Sequence, residues 1–401
     1  MTQALQADYL IIGAGIIGLT IARELKQQKP KATILIIDKE PSSVEHGSGR
    51  NSGVIHAGFY YPADSLKAKL TCQGNRELTK YCLDNGIKIN QCGKLVVAQS
   101  EADIAGIYEL EKRALANGVQ VSVVDEQQAS AIEPNAKTSQ VALYSPNTAS
   151  ANPSDVTNHI ANELVNLGVK IQYHCGFQRC LANNRILTTD QQIIEANTII
   201  NCAGLYADKI AKQFGFSEHN VIIPFKGIYL KYQGQDKPIS TNIYPVPNLN
   251  NPFLGVHYTV TVDQQIKIGP TAIPALWREN YQGLANFQWQ EMVEILSYEM
   301  RLFFGDHFNF RTLAFEELKK YNREHFTKLA GNMLHNIDTT KFTQWTKPGI
   351  RAQLLNTKTM TLEQDFIIES DEHSVHILNA VSPAWTSSFP FAKHVVNHYL
   401  T

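Results

Sequence analysis

The 401-residue sequence has no long apolar run, no excess of charge and no paired cysteines, and each absence removes a class of function. No stretch reaches the ~18 apolar residues that a membrane-spanning helix needs. Lysine plus arginine number 36 against 37 aspartate plus glutamate, a formal charge of −1, which gives no reason to expect a nucleic acid partner. The six cysteines, Cys72, Cys82, Cys92, Cys175, Cys180 and Cys202, form no CxxC pair, and no nearby histidine completes a zinc pattern. They read as buried thiols of a reducing compartment, with no metal site and no iron–sulfur relay. The apolar stretch 9–19 follows Asp8 and lacks a basic flank, so the expectation is a cytoplasmic protein without a signal peptide. No strongly basic amphipathic helix announces a lipid surface, which leaves attachment at the periphery of the inner membrane open. Repeats and low-complexity linkers are also missing, so interleaved segments are expected rather than domains strung in order.

What is present begins with a change of period. Residues 8–12 read as a buried strand ended by Gly13, and residues 16–27 as a helix with Ile17, Ile21 and Leu25 on one face. Pro30 stops the helix and 32–37 reads as a second buried strand, which completes a βαβ unit. Its turn, Gly13-Ala14-Gly15-Ile16-Ile17-Gly18, is a GxGxxG. Gly13 permits the tight turn, Gly15 lets the backbone approach a pyrophosphate, and Gly18 lets helix and strand pack closely. Asp38, with Lys39 beside it, closes the second strand where an acceptor for the ribose hydroxyls is needed. Nicotinamide and flavin dinucleotides share this fingerprint. The early position of the unit favours flavin, as does a second strand-plus-glycine element at 198–208, whose Ala203 and Gly204 would return to the dinucleotide.

Elsewhere the pattern predicts helices from Ser65 to Gly86 and over 102–117, 154–166 and 288–302, with a final helix from Pro390. Strands are expected at 169–173 and 198–201, in short runs between 221 and 270, and near 366–368 and 375–378.

Eight strings along the chain carry a resemblance: RNSGVIHAGFYY (50–61), SLKA (65–68), CGKL (92–95), IYPVP (243–247), PFLGVH (252–257), IGP (268–270), GIRAQ (349–353) and NAVSPAWTSS (379–388). In them the chain resembles the glycine/D-amino-acid oxidase (DAO) superfamily of FAD enzymes and, within it, the L-2-hydroxyglutarate oxidase/dehydrogenase family. The resemblance implies an α/β (α+β) fold in which a Rossmann-type FAD-binding domain (1–87, 147–219, 346–401) is interleaved with a β-rich substrate-binding domain (88–146, 220–345). It also implies noncovalent FAD, held further by Asn51, Ser52, Gly53, Ser382 and Thr386, and oxidation of L-2-hydroxyglutarate to 2-oxoglutarate. The chain departs from the family where Arg50 stands for histidine, Lys226 for arginine and Trp385 for alanine, and in 269–279 around Thr271. An amino acid, an amine or another 2-hydroxy acid therefore stays an alternative substrate. Oxygen and a membrane quinone both stay open as electron acceptor, and the oligomeric state is not legible.

Oxidising a 2-hydroxy acid needs a base for the hydroxyl proton, a clamp for the carboxylate and exclusion of water. His56 is the first candidate for the base, because imidazole can take a proton near neutral pH. His257 is the second. Arg351 is the candidate carboxylate clamp, since a planar guanidinium grips a carboxylate in two places. Lys226 is the candidate anchor for a distal carboxylate, and Tyr60, Tyr244 and Tyr258 are candidate hydroxyl donors.

Overall fold

The computed structural model describes residues 4–182, 184–247 and 253–400. Pro252 of the PFLGVH string lies outside them. Strand Leu5–Ile12 pairs in parallel with Ile34–Ile37 on one side and Ile193–Asn201 on the other. Lys170–Gln172 and Ser374–Asn379 extend the parallel core outward, also in parallel. Ile34–Ile37 is buried at all four positions, as a strand covered on both faces must be. One face is covered by helices Ile16–Gln28, Leu66–Asp84, Pro153–Asn166 and Ala384–Tyr399, which share one apolar core with the sheet. Ser65 caps the second of these helices, accepting from Ala68 N at 3.1 Å.

The final helix begins at Ala384, six residues before the expected Pro390, and carries that proline in its interior. Pro390 has no N–H for the carbonyl of Thr386. That carbonyl instead faces Gly74, where any Cβ would come within 2.3 Å of it. The glycine lets the two helices close over the interruption.

A second, eight-stranded sheet takes its strands from two stretches of chain. Ser122–Asp125, Val141–Ser145 and Lys94–Val97 come from the first stretch. Asn242–Pro245, His257–Val260, Ile266–Gly269, Leu230–Tyr232 and Phe342–Trp345 come from the second. A smaller sheet joins Asn220–Gly227 to Gly349–Asn356 in antiparallel register, with Phe225 opposite Arg351 and Lys226 opposite Ile350. This pairing carries Arg351 to the junction of the two large sheets. Among the described residues no helix is long and apolar enough to cross a membrane.

The segment that spans the junction is pinned by an ion pair. Arg278, fully buried, donates to both carboxylate oxygens of Asp208, at 2.6 and 2.8 Å. Arg278→Met strands a buried carboxylate, so it is expected to cost about 3–5 kcal/mol of stability. A fall of the urea midpoint without a change in slope checks this.

Candidate active site

At the end of the first strand the chain turns sharply, and Gly13 takes φ +110° there with its N–H on Ile37 O at 2.8 Å. A Cβ at Gly13 would meet Cys202 O at 2.5 Å, and one at Gly18 would meet Gly13 O at 2.0 Å. Those two glycines therefore serve the turn and its packing. Gly15, the helix N-cap, faces open space apart from Ser48 Oγ, 2.9 Å from where its Cβ would stand. Ser48 Oγ accepts from Ile16 N at 2.8 Å, so a hydroxyl already marks the anion-attracting end of the helix. Asp38 Oδ2 accepts from Ala14 N at 2.7 Å and Oδ1 from Glu40 N at 2.9 Å. The aspartate thus shapes the turn as well as facing the cavity beside it, and burial raises its pKa.

That cavity, about 860 Å³, runs from Asp38 and Lys39 past Gly13, Gly15, Asn51 and Ser52 to His56, Arg351, Ser382 and Thr386. Ala203 and Gly204 line its other wall, as the second glycine element requires. A long cleft opening on a helix N-terminus, with a carboxylate at one end and a guanidinium at the other, fits an extended dinucleotide. Gly18 and Gly53 do not line it. Gly53 shapes the loop instead, at φ +78° with its N–H on Asn51 Oδ1 at 2.8 Å. Lys39 donates to Glu279 Oε1 at 2.6 Å and to Glu40. Glu40, His46 and Glu279 are spaced as metal ligands would be, and the Lys39 ammonium already stands between the two carboxylates. Its bond to His46 holds Glu40 down at about 2.

A small side cavity of about 50 Å³ opens where the sheets meet, lined by Ser52, His56, Tyr229, Tyr244, His257 and Arg351 among others. Arg351 is half-buried and, among the described residues, makes no side-chain hydrogen bond or ion pair; its guanidinium sits 5.1 Å over the Phe253 ring. Burial pushes its pKa down. An unpaired guanidinium facing a cavity is a site prepared for an anion. His257 lies stacked on Tyr244, ring centroids 3.7 Å apart. His257 Nδ1 meets Gly255 O at 2.8 Å, so Nδ1 donates and Nε2 is left as a proton acceptor. Burial brings His257 down to about 3 and, with Lys94, His257 and Arg351 nearby, holds His56 well below the usual imidazole value. Both rings are therefore neutral, each with an unshared pair on one nitrogen.

Three expected substrate contacts stand elsewhere. Lys226 is buried and lines neither cavity; its Nζ reaches Asn280 Oδ1 at 3.4 Å. Its strand neighbours Phe225 and Gly227 line the main cavity, and the alternation of a strand sends Lys226 to the opposite face. Tyr60 and Tyr258 also line neither, their hydroxyls buried without a hydrogen-bond partner among the described residues. A cation beside Tyr60 is Lys94, fully buried and without a hydrogen-bond partner among the described residues, 5.1 Å from the Tyr60 ring centre and 4.1 Å from that of Tyr244. Lys94 and His257 are both so close to the Tyr244 ring centre that they must occupy opposite faces of the ring.

Ser48 and Tyr229, which line the site, and Lys94, which stands behind its wall, were not expected from the sequence. Lys94 had a signal: it is the only charge in the apolar run Lys94-Leu95-Val96-Val97.

The family model for FAD dependent oxidoreductases (DAO) matches residues 8–398. The chain belongs to the DAO family of FAD-dependent oxidoreductases. It is 32% identical over 399 residues to the L-2-hydroxyglutarate dehydrogenase of Escherichia coli (strain K12), covering 98% of this chain and 93% of that protein. It is 31% identical to the mitochondrial L-2-hydroxyglutarate dehydrogenase of Dictyostelium discoideum, covering 97% and 92%. Among solved structures, the FAD-bound L-alpha-glycerophosphate oxidase of Mycoplasma pneumoniae superposes with a TM-score of 0.77 at 20% identity, covering 98% of this chain and 94% of that one. The likeness to that structure is one of fold. As a family member, the protein is an enzyme that uses FAD.

Proposed function

We propose that this FAD-dependent oxidoreductase oxidises L-2-hydroxyglutarate to 2-oxoglutarate in the side cavity at the junction of the sheets. The observation that carries the reading is Arg351, a half-buried guanidinium with no acceptor among the described residues, facing a cavity shared with two neutral histidines. The curated relatives named L-2-hydroxyglutarate dehydrogenase, similar over nearly the whole chain, supply the substrate. We assign the FAD-binding part to 1–87, 147–219 and 346–401, and the substrate part to 88–146 and 220–345.

FAD would lie along the main cavity, its phosphates at Gly15 and Ser48, its ribose at Asp38 and its ring near Ser52, Ser382 and Thr386. When bound it supplies the acceptor for the α-hydride. The chain's own residues do the rest. Arg351 grips the α-carboxylate and fixes which hydrogen points at the acceptor. His56 receives the hydroxyl proton, and His257, whose Nε2 can only accept, stands beside it as the alternative base for the same proton. With Lys226 turned away, the distal carboxylate is left to donors of the cavity wall, Tyr229 and Tyr244 among them.

A panel of 2-hydroxy acids, glycine and sarcosine, scored by loss of flavin colour without oxygen, tests this choice. Bleaching by the amines and not by the hydroxy acids would refute it. The electrons leave for oxygen or a membrane quinone, and turnover under air against turnover with a quinone analogue distinguishes the two.

Lys94 makes the pH dependence specific. Its charge lowers the pKa of both histidines, and burial brings its own pKa to about 7. An acid limb in the rate arises where an imidazole becomes protonated and can no longer accept a proton. With both pKa values depressed, the wild type should keep its rate of flavin reduction below the ordinary imidazole range. Lys94→Met removes the repulsion, so the acid limb should move to higher pH. The effect should be largest below pH 7, where the ammonium is charged. An equal loss of rate at every pH would mean that Lys94 only fills space.

A further inference from the structure

Between strand Ile273–Pro274 and helix Trp289–Gly305 runs a loop that reaches the Asp38 end of the main cavity. Three of its residues, Glu279, Asn286 and Gln288, line that cavity along with Asp38 and Lys39. The loop is tied to itself. Trp277 Nε1 donates to Ala285 O at 3.1 Å and Asn280 Nδ2 to Gly283 O at 3.2 Å. The rings of Trp277 and Phe287 meet edge to face, centroids 5.2 Å apart. Closed at its base in this way, 277–288 is a compact unit of the kind that carries function on a surface.

Side chains that themselves line the cavity hold this unit in place. Glu279 Oε1 accepts from Lys39 Nζ at 2.6 Å and from the Tyr206 hydroxyl at 2.9 Å, and Oε2 accepts from Asn286 Nδ2 at 2.9 Å. The Tyr281 hydroxyl meets His46 Nδ1 at 2.6 Å, and the Arg50 guanidinium lies 4.3 Å over the Tyr281 ring. Lys39, His46, Arg50 and Tyr206 all line the cavity. The Lys39–Glu279 pair joins positions 240 residues apart. Glu279 is buried, and both its oxygens are hydrogen-bonded, so the pair counts for more than an exposed one. Two of the departures from the family meet here, Arg50 and the stretch 269–279 that Glu279 ends.

We propose that loop 277–288 is a clasp over the adenosine half of FAD, and that the Lys39–Glu279 ion pair is the catch that sets how fast the cofactor leaves. The inference rests on FAD lying along the main cavity with its ribose at Asp38. Lys39 follows Asp38 directly in the chain, so the catch closes beside the ribose. The glycine turn holds the cofactor from one side, and the loop contributes wall to the same end of the cleft. Release therefore waits on the loop, and the strength of its catch enters the rate at which FAD escapes.

The test dilutes the FAD-loaded protein into buffer without FAD and follows the flavin still bound by rapid gel filtration. Release should be about 10-fold faster from Glu279→Gln and from Lys39→Met, the worth of one charged hydrogen bond. The double variant should release FAD no faster than the quicker single variant, because both changes open the same catch. Raised salt should quicken release from the wild type and not from Glu279→Gln. A general loosening of the fold would instead make the two effects multiply, and that result would overturn the inference. Asp38→Ala keeps the clasp apart from the placement of the cofactor. Fast release from Asp38→Ala beside wild-type release from Glu279→Gln would overturn the clasp and leave the placement standing. Wild-type release from both would overturn the placement as well.

Discussion

Arg351→Met is expected to lower kcat/KM for the 2-hydroxy acid by about 10²–10³-fold, the cost of leaving one partner of a buried charge pair unmatched. The size follows from the environment. Arg351 makes no hydrogen bond or ion pair with any described residue, so the substrate carboxylate would be the first direct partner of a half-buried guanidinium on the cavity wall. Arg351→Lys separates charge from geometry. The ammonium keeps the attraction and loses the two-point grip, so KM should rise and kcat fall together. Steady-state kinetics on both variants checks this. If Arg351→Met left kcat/KM within a few-fold of wild type, the clamp would have to be another cation.

His56→Ala is expected to slow flavin reduction by about 10²–10⁴-fold while leaving substrate affinity nearly unchanged, the usual share of a general base. The ring lines both cavities, and its backbone is fixed by Thr386 Oγ1, which accepts from His56 N at 3.2 Å. Stopped-flow reduction separates the rate from the affinity. His257→Ala supplies the contrast. Its Nδ1 is committed to Gly255 O and its face to Tyr244, so its loss should also weaken binding. A larger loss of rate in His257→Ala than in His56→Ala would exchange the two assignments.

The sequence made the βαβ unit and the second glycine element legible, because a strand period giving way to a helix period leaves a local record. The strands Ile34–Ile37 and Ile193–Asn201 fell at or around their expected positions for that reason. Short strands such as Lys94–Val97 and Ser122–Asp125 are too brief for a period, and only their partners across the sheet identify them. Pro390 misplaced the start of the final helix, since the glycine that accommodates it is Gly74, 316 residues away in sequence. Lys226 stands off both cavities for a different cause. A resemblance fixes its position on the strand, and the strand's pleat decides its face. Ser48 and Tyr229 carry no local mark at all, and their place in the site is set by the fold alone.

The measurement that bears most directly on the central claim is anaerobic titration of the FAD-loaded protein with L- and D-2-hydroxyglutarate, followed by flavin absorbance. With Arg351 fixing one end and His56 taking the hydroxyl proton, only one enantiomer presents its α-hydrogen to the flavin. The L isomer should bleach the flavin and yield 2-oxoglutarate, while the D isomer leaves the spectrum unchanged. Equal bleaching by both isomers, or by neither, would contradict the account.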